Sequence, residues 1–168
     1  MSKNKTKILV VEDEPEQAKF IGKTVEKTLK YAAVVATNGA EALAQYKKNR
    51  TFFGFGENKI KAILLDINMP EMNGLDFLKQ LRGIEKKNTF ARYTPVIVIT
   101  AHEEPEYIED ATNPVSGMVS AYLKKPFNKT ELKDLLDKII DNMDAEYMIE
   151  ETRNASYERV ETLRKENP

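Results

Sequence analysis

The chain has 168 residues, with no cysteine, no tryptophan and one histidine, and its 26 basic and 27 acidic side chains give a formal net charge of −1. This length fits one domain with its own core and a possible appendage, and the missing cysteines exclude a disulfide scaffold, thiol catalysis and cysteine-bound zinc. The sequence shows no dense basic patch, no membrane-length apolar run and no secretory signal, so we expect a cytoplasmic protein that binds neither nucleic acid nor membrane.

The first two pairs of a strand and a helix come early in the chain. A nearly continuous apolar run over Ile8–Val11 predicts a strand buried on both faces, and the periodicity of Pro15–Leu29 predicts an amphipathic helix. Ala32–Ala36 is rich in alanine and valine and predicts an edge strand. Asn38 is a suitable N-cap for a helix over Ala40–Lys48.

The rest of the chain continues this alternation. Apolar runs predict three more strands, at Ala62–Leu65, Val96–Ile99 and Val119–Leu123. Helices are predicted over Gly74–Leu81, over Glu106–Ala111 between two prolines, and from an N-cap at Asn128 to about residue 143. Five such units predict an α/β fold with right-handed crossovers and a parallel sheet that is covered by helices on both faces.

Two connections are longer than packing requires. Asn49–Lys61 and Gly83–Thr94 are both predicted to be surface insertions. The first contains Phe52, Phe53 and Phe55. These phenylalanines would either fasten the insertion to the body or contact a partner, and we favour the first.

Polar residues follow the predicted strands where each one ends. Glu12 and Asp13 come after the first strand, Asp66 after the third, Thr100 after the fourth and Lys125 after the fifth. In an open parallel sheet these positions share one rim, where ligands bind. Three carboxylates favour a hard cation such as Mg²⁺, and a lysine and a hydroxyl beside it suit a phosphoryl group that a carboxylate nucleophile accepts.

These pieces resemble the receiver domain of bacterial two-component response regulators. The resemblance covers about residues 7–143, and its motifs are Val10-Val-Glu-Asp-Glu14, Leu65-Asp-Ile-Asn-Met-Pro-Glu-Met-Asn-Gly74, Ile99-Thr-Ala101 and Leu123-Lys-Lys-Pro-Phe127. It implies a flavodoxin-like, doubly wound sheet of five parallel strands in the order 2-1-3-4-5, followed by a C-terminal helical extension.

The resemblance also implies roles for the acidic residues. Asp66 would be the phosphoacceptor, and Glu12 and Asp13 would form the acidic pair. Mg²⁺ would be held by Asp13, Asp66 and the main-chain carbonyl of Asn68, beside Glu12. Asn68 and His102, each two residues past a motif residue, would tune dephosphorylation.

Three further residues receive roles from the same likeness. Thr100 would be the switch hydroxyl that contacts the phosphoryl group, and Lys125 would pair with that group. Tyr122 matches the aromatic position whose rotamer follows Thr100. The Lys125–Pro126 bond is a candidate for a cis peptide.

By this resemblance the chain is a phosphorylation-dependent switch and not an enzyme that turns over an external substrate. A histidine kinase or phosphotransfer protein would supply the phosphoryl group, and output would be by protein–protein contact, with homodimerisation on phosphorylation left open. One alternative is a Mg²⁺-dependent phosphohydrolase with an aspartyl nucleophile, although Asn68 stands where such an enzyme needs a second acid. Another is a receiver-like interaction module that is not phosphorylated.

The predicted domain organisation has three parts. Residues 1–6 are expected to be disordered, residues 7–143 to form the receiver-like body, and residues 144–168 to form an acidic helical tail or linker. Residues 128–168 carry 7 basic and 11 acidic side chains. We predict a helix break near Asn154–Ser156 and favour a solvated linker helix over a docking helix, because the apolar stripe is thin.

Overall fold

A single parallel sheet of five strands, in the order β2-β1-β3-β4-β5, organises the computed structural model. The structure describes residues 5–28, 30–50, 58–70, 72–87, 93–101, 103–141 and 145–166. The strands are β1 (Thr6–Val11), β2 (Tyr31–Ala36), β3 (Ile60–Leu65), β4 (Val96–Thr100) and β5 (Ala121–Lys124). The helices are α1 (Pro15–Lys27), α2 (Gly39–Lys48), α3 (Gly74–Lys86), α4 (Pro105–Thr112), α5 (Lys129–Asp141) and α6 (Ala145–Glu166).

The sheet has a core on each face, which explains why its central strands are apolar at nearly every position. One core joins the sheet to α2 and α3, with Phe77 and Leu81 fully buried. The other joins it to α1 and α5, with Val25 and Leu136 fully buried. The fold class predicted from the sequence, including the strand order, is confirmed.

Most element boundaries agree with the sequence to within two residues, and the Asn38 side chain caps α2 by accepting a hydrogen bond from the Glu41 N–H at 2.8 Å. The prediction for α3 was too short. Leucine periodicity ends at Leu81, but the helix continues to Lys86 because the next turn buries Arg82 and Glu85 instead of apolar side chains. The second predicted insertion therefore begins with helix.

Arg82 and Glu85 form a closed ionic cluster at the end of the sheet where β4 begins. Arg82 Nη1 donates to Glu85 Oε2 at 2.7 Å and to the Thr94 carbonyl at 3.0 Å, and its other nitrogens donate to the carbonyls of Gly117 and Met118 at 2.9 Å. Glu85 Oε1 accepts the Thr94 N–H at 2.8 Å. The two side chains are 1% and 2% exposed, so the cluster is buried, neutral in sum and rich in hydrogen bonds.

The C-terminal region differs from the sequence prediction. Asn128 and Glu131 cap α5 reciprocally, as expected. However, α6 is continuous through Asn154–Ser156, so the predicted break there is wrong. α6 is also not a solvated helix, because Met148, Ser156 and Val160 are buried where it packs against α4 and β5.

Some predictions fall at the borders of the described residues. β1 begins at Thr6, one residue before the predicted start of the body, and residues 1–4 lie outside the described part of the chain. The insertion at residues 49–61 is described only at its ends, where Arg50 and Asn58 form an antiparallel bridge; its three phenylalanines lie outside the described residues. None of the described helices is both long enough and apolar enough to cross a membrane.

Candidate functional site

The ends of β1, β3 and β5 bring an ammonium group and two carboxylates into contact. Lys125 Nζ donates to Asp66 Oδ2 at 2.6 Å and to Glu12 Oε2 at 2.8 Å. Asp66 is 8% exposed and Glu12 is 2% exposed, so these ion pairs are largely shielded from water. Residues from three separate strand ends therefore meet at one point on the rim.

A third carboxylate makes this cluster strongly acidic. Carboxylate oxygens of Glu12, Asp13 and Asp66 all lie within 4.8 Å of one another. Three negative charges face the single positive charge of Lys125, and carboxylates this close repel one another unless a cation joins them. The donors are oxygens, which hard divalent cations prefer, so the donor set fits Mg²⁺.

Burial and charge shift the pKa values of two groups in this cluster. Burial raises the pKa of Glu12, and the nearby charge of Asp66 adds to the rise although Lys125 opposes it. Burial by itself lowers the pKa of Lys125, but its hydrogen bonds to Asp66 and Glu12 outweigh that effect and the pKa is raised. Lys125 therefore stays cationic, whereas Glu12 is a carboxylate that gains from an added positive charge.

The backbone around Asp66 is tightly fixed. Its N–H donates to the Val11 carbonyl at 2.9 Å, and its Oδ1 accepts the Asn68 N–H at 2.9 Å. A Cβ added to Gly74 would lie 2.5 Å from the Asp66 carbonyl oxygen, so only glycine allows the start of α3 to pack here. The loop thus holds Asp66 Oδ1 against the backbone and leaves Oδ2 to Lys125.

Lys125 is also placed by the backbone. Its N–H donates to the Thr100 carbonyl at 2.9 Å, which ties the end of β5 to the end of β4. The Lys125–Pro126 peptide is cis, as the sequence predicted. Thr100 is buried at the last position of β4, in register with Lys124.

Tyr122 lies on β5, three residues before Lys125. Its hydroxyl donates to the Ile108 carbonyl of α4 at 3.4 Å, and burial raises the pKa of this phenol. Tyr122 and Thr100 line the same cavity, which lies between β5, α5 and α6. The two predicted switch residues, Thr100 and Tyr122, therefore face the same cavity.

The two predicted tuning residues differ in what the structure describes. Asn68 is exposed beside Asp66, where it can meet a molecule that approaches the acceptor. His102 lies outside the described residues.

The sequence analysis missed one charged residue that lies near the site. Glu103 lies three residues beyond Thr100 and accepts hydrogen bonds from Lys124 at 2.5 Å and from Arg159 of α6 at 3.0 Å. The hydrogen bond from Lys124 is the largest of the effects that lower the pKa of Glu103. No local signal could have revealed this contact, since Arg159 is 56 positions away in the chain.

Comparisons with known proteins identify the family to which the chain is similar. Residues 8–137 match the model of the response regulator receiver domain family. The chain is 31% identical over 137 residues to the chemotaxis protein CheY-3 of Vibrio cholerae, covering 82% of this chain and 93% of that protein.

The chain is also similar to a much longer regulatory protein and to a solved structure. The chain is 32% identical over 130 residues, or 77% of its length, to the sensory/regulatory protein RpfC of Xanthomonas campestris, but it spans only 16% of that protein. Among solved structures, the chemotaxis response regulator CheY4 of Vibrio cholerae is 28% identical, with a TM-score of 0.62 over 80% of this chain and 98% of that chain.

Proposed function

The chain belongs to the response regulator receiver domain family, and from this we propose that it is a phosphorylation-dependent signalling switch whose phosphoacceptor is Asp66. A histidine kinase or phosphotransfer protein would supply the phosphoryl group. One observation carries this assignment: Lys125 contacts both Asp66 and Glu12 within an acidic cluster that fits Mg²⁺. We assign residues 7–143 to the receiver body and residues 144–168 to a helical extension.

In the transfer step, a carboxylate oxygen of Asp66 attacks phosphorus and forms an acyl phosphate. The bond between phosphorus and the donor's imidazole nitrogen breaks, and that nitrogen keeps the electron pair. Lys125 already contacts Asp66 Oδ2, so its ammonium group needs to move only a little to pair with the phosphoryl oxygens. The fixed Asn68 N–H holds the second oxygen and orients the attacking carboxylate.

Mg²⁺, when bound, would supply the positive charge that offsets the phosphoryl oxygens. Asp13, Asp66 and the main-chain carbonyl of Asn68 would hold it, and Glu12 would complete the acidic pair. The excess of three carboxylates over one ammonium supports this role, because the cluster is not neutralised by its own side chains.

The switch would act through Thr100 and Tyr122. A phosphoryl group on Asp66 offers acceptor oxygens to the Thr100 hydroxyl, and the cavity that both residues line gives Tyr122 space to follow. The change would shift an equilibrium that exists before phosphorylation, and a downstream protein would read it on this face.

The same chemistry in a phosphohydrolase would require an acid to move protons to and from the substrate. At the position two residues past Asp66 this chain has the amide of Asn68, which cannot act as that acid. We therefore propose slow loss of the phosphoryl group, tuned by Asn68 and His102, and no turnover of an external phosphate ester.

The test is phosphorylation by acetyl phosphate with Mg²⁺, followed by intact-protein mass spectrometry. Wild-type protein should gain the mass of one phosphoryl group, and Asp66→Asn should gain none. Asp134→Asn is the matched control, since Asp134 is an exposed aspartate on α5 with a side chain 67% accessible. Equal labelling of Asp66→Asn and the wild-type protein would show that the acceptor lies elsewhere.

A further inference from the structure

α6 packs onto the body along a narrow and partly polar stripe. The stripe consists of residues four positions apart, Met148, Thr152, Ser156 and Val160, of which two carry hydroxyl groups. Thr152 Oγ1 donates to the Ser120 carbonyl, just before β5, at 2.8 Å. Only Met148 and Val160 in this stripe are apolar, so its hydrophobic contribution to docking is that of two side chains.

Ion pairs supply much of the remaining contact. Arg159 pairs with Glu103 at 3.0 Å, and Arg164 pairs with Glu109 of α4 at 3.0 Å. The Glu103 carboxylate is shared, because Lys124 at the end of β5 also pairs with it. We call Glu103, Lys124 and Arg159 the Glu103 cluster.

A pocket that is partly open to solvent lies beneath α6. A cavity of about 630 Å³ lies between β5, α5 and α6, with Thr100 and Tyr122 on one side and Met148 and Ser156 on the other. Ser120, which also lines the cavity, has a buried hydroxyl without a hydrogen-bond partner among the described residues. The unsatisfied hydroxyl weakens the docked arrangement, and the open pocket leaves part of α6 without packing partners on the body.

We propose that α6 is a reversibly docked cover that leaves the body when Asp66 carries a phosphoryl group. This inference rests on the proposed function, because it makes the occupancy of Asp66 the signal that releases α6. It assigns the helix to regulation of that site, which the sequence-based choice between a linker and a docking helix left open.

The coupling links Thr100, at the end of β4, with Glu103. Thr100 ends that strand, and Glu103 lies only three residues later. If the Thr100 hydroxyl turns toward a phosphoryl group, the end of β4 shifts with it and Glu103 moves relative to Arg159. An inward Tyr122 changes the shape of the cavity that Met148 and Ser156 also line. Each motion removes support from α6.

Linkage makes this coupling reciprocal. If an occupied Asp66 disfavours docking, docked α6 must lower the affinity of Asp66 for its ligand by the same factor. A variant with weakened docking should therefore bind a phosphoryl analogue more tightly, although the substitution lies on α6 and outside the acidic rim.

The first experiment measures the position of α6 directly. The chain has no cysteine, so Lys79→Cys on α3 and Tyr157→Cys on α6 place two spin labels at exposed positions. The distance distribution between the labels should be narrow with Mg²⁺ alone and should broaden toward longer distances when beryllofluoride is added. Occupancy is followed in the same sample by the ¹⁹F resonance of bound beryllofluoride.

The ¹⁹F signal separates the two possible failures. An unchanged distance distribution with beryllofluoride bound overturns the release of α6 and leaves the proposed function intact. A missing resonance for bound beryllofluoride overturns the proposed function, and the inference that depends on it.

The second experiment tests reciprocity with Arg159→Gln. Exposed ion pairs of this kind change an equilibrium by about two- to fivefold, so this variant should bind beryllofluoride about two- to fivefold more tightly than wild type. Arg153→Gln is the matched control, because Arg153 is an exposed arginine on α6 whose pair with Glu150, at 4.0 Å, stays within the helix. Equal or weaker binding by Arg159→Gln would overturn the proposed coupling.

Discussion

Two buried ionic clusters lie at opposite ends of the same sheet, and they are built in opposite ways. The Arg82–Glu85 cluster lies where β4 begins, and one guanidinium there meets one carboxylate and three carbonyl oxygens. The rim cluster lies where the strands end, and three carboxylates share one ammonium. The first is neutral and closed, whereas the second is left with excess negative charge.

The difference shows how a fold separates stability from chemistry. A buried charge that is paired and fully hydrogen-bonded has no remaining affinity for a ligand, and removing its partner is costly. A cluster with excess charge is unfavourable until a cation or a phosphoryl group completes it.

Removing Arg82 should have the largest effect. Arg82→Met leaves Glu85 as a buried, unpaired carboxylate and should lower the free energy of unfolding by about 3–5 kcal/mol, measured by urea denaturation. Arg153→Met, at an exposed arginine, should change it by less than about 0.5 kcal/mol. Adding Glu85→Gln to Arg82→Met should recover part of the loss. A loss below about 1 kcal/mol for the single variant would mean that the cluster behaves like a surface pair.

Adding Mg²⁺ should stabilise the rim cluster. At about 100 times its dissociation constant, Mg²⁺ should raise the free energy of unfolding of wild-type protein by about 2.7 kcal/mol. Asp13→Asn should lose most of this gain, because it removes one of the three clustered carboxylates without breaking the pairs of Lys125. Asp134→Asn should keep it. If Asp13→Asn is stabilised as much as wild type, the ion binds at another place.

The Arg82–Glu85 cluster should also affect the stability of the fold at high pH through Tyr46, whose hydroxyl donates to Glu85 Oε1 at 3.1 Å. Burial, and then the charge of Glu85, raises the pKa of Tyr46 from 10.0 to about 12. The neutral phenol is therefore favoured in the folded state, and its contribution is complete below pH 10 and lost as the pH rises toward 12.

Comparing Tyr46→Phe with wild type isolates this titration. The stability advantage of wild type should shrink by about 1 kcal/mol between pH 8 and pH 11, as measured by urea denaturation at both values. The other tyrosines are present in both proteins, so their titration cancels. An advantage that is equal at both pH values would assign the alkaline loss of stability to other groups.

The meeting of charged side chains at the rim could be predicted from the sequence because it follows from strand order. Glu12 and Asp66 come directly after apolar runs and Lys125 comes two residues after Leu123, and parallel strands bring their ends to one edge of the sheet whatever the packing details. The fold class follows from the same alternation of strands and helices. The roles of the site residues stay predictions, those of Thr100 and Tyr122 among them.

The closed cluster and the packing of α6 could not be predicted in this way. Arg82 is a buried cation in a position that apolar periodicity assigns to the end of a helix, and its carbonyl partners come from a distant turn. α6 docks by a stripe that is half hydroxyl, which resembles a solvated face when only hydrophobicity is counted. In both cases polar contacts between distant segments override a local pattern.

Helix α3 is fixed at both ends by the two clusters. At its start Gly74 packs against the Asp66 backbone, and near its end Arg82 and Glu85 bond to the segments before β4 and β5. A helix of 13 residues held in this way, about 20 Å long, has little freedom to slide or rotate. It therefore serves as a fixed internal reference, relative to which the positions of α4, α6 and Glu103 can all be measured.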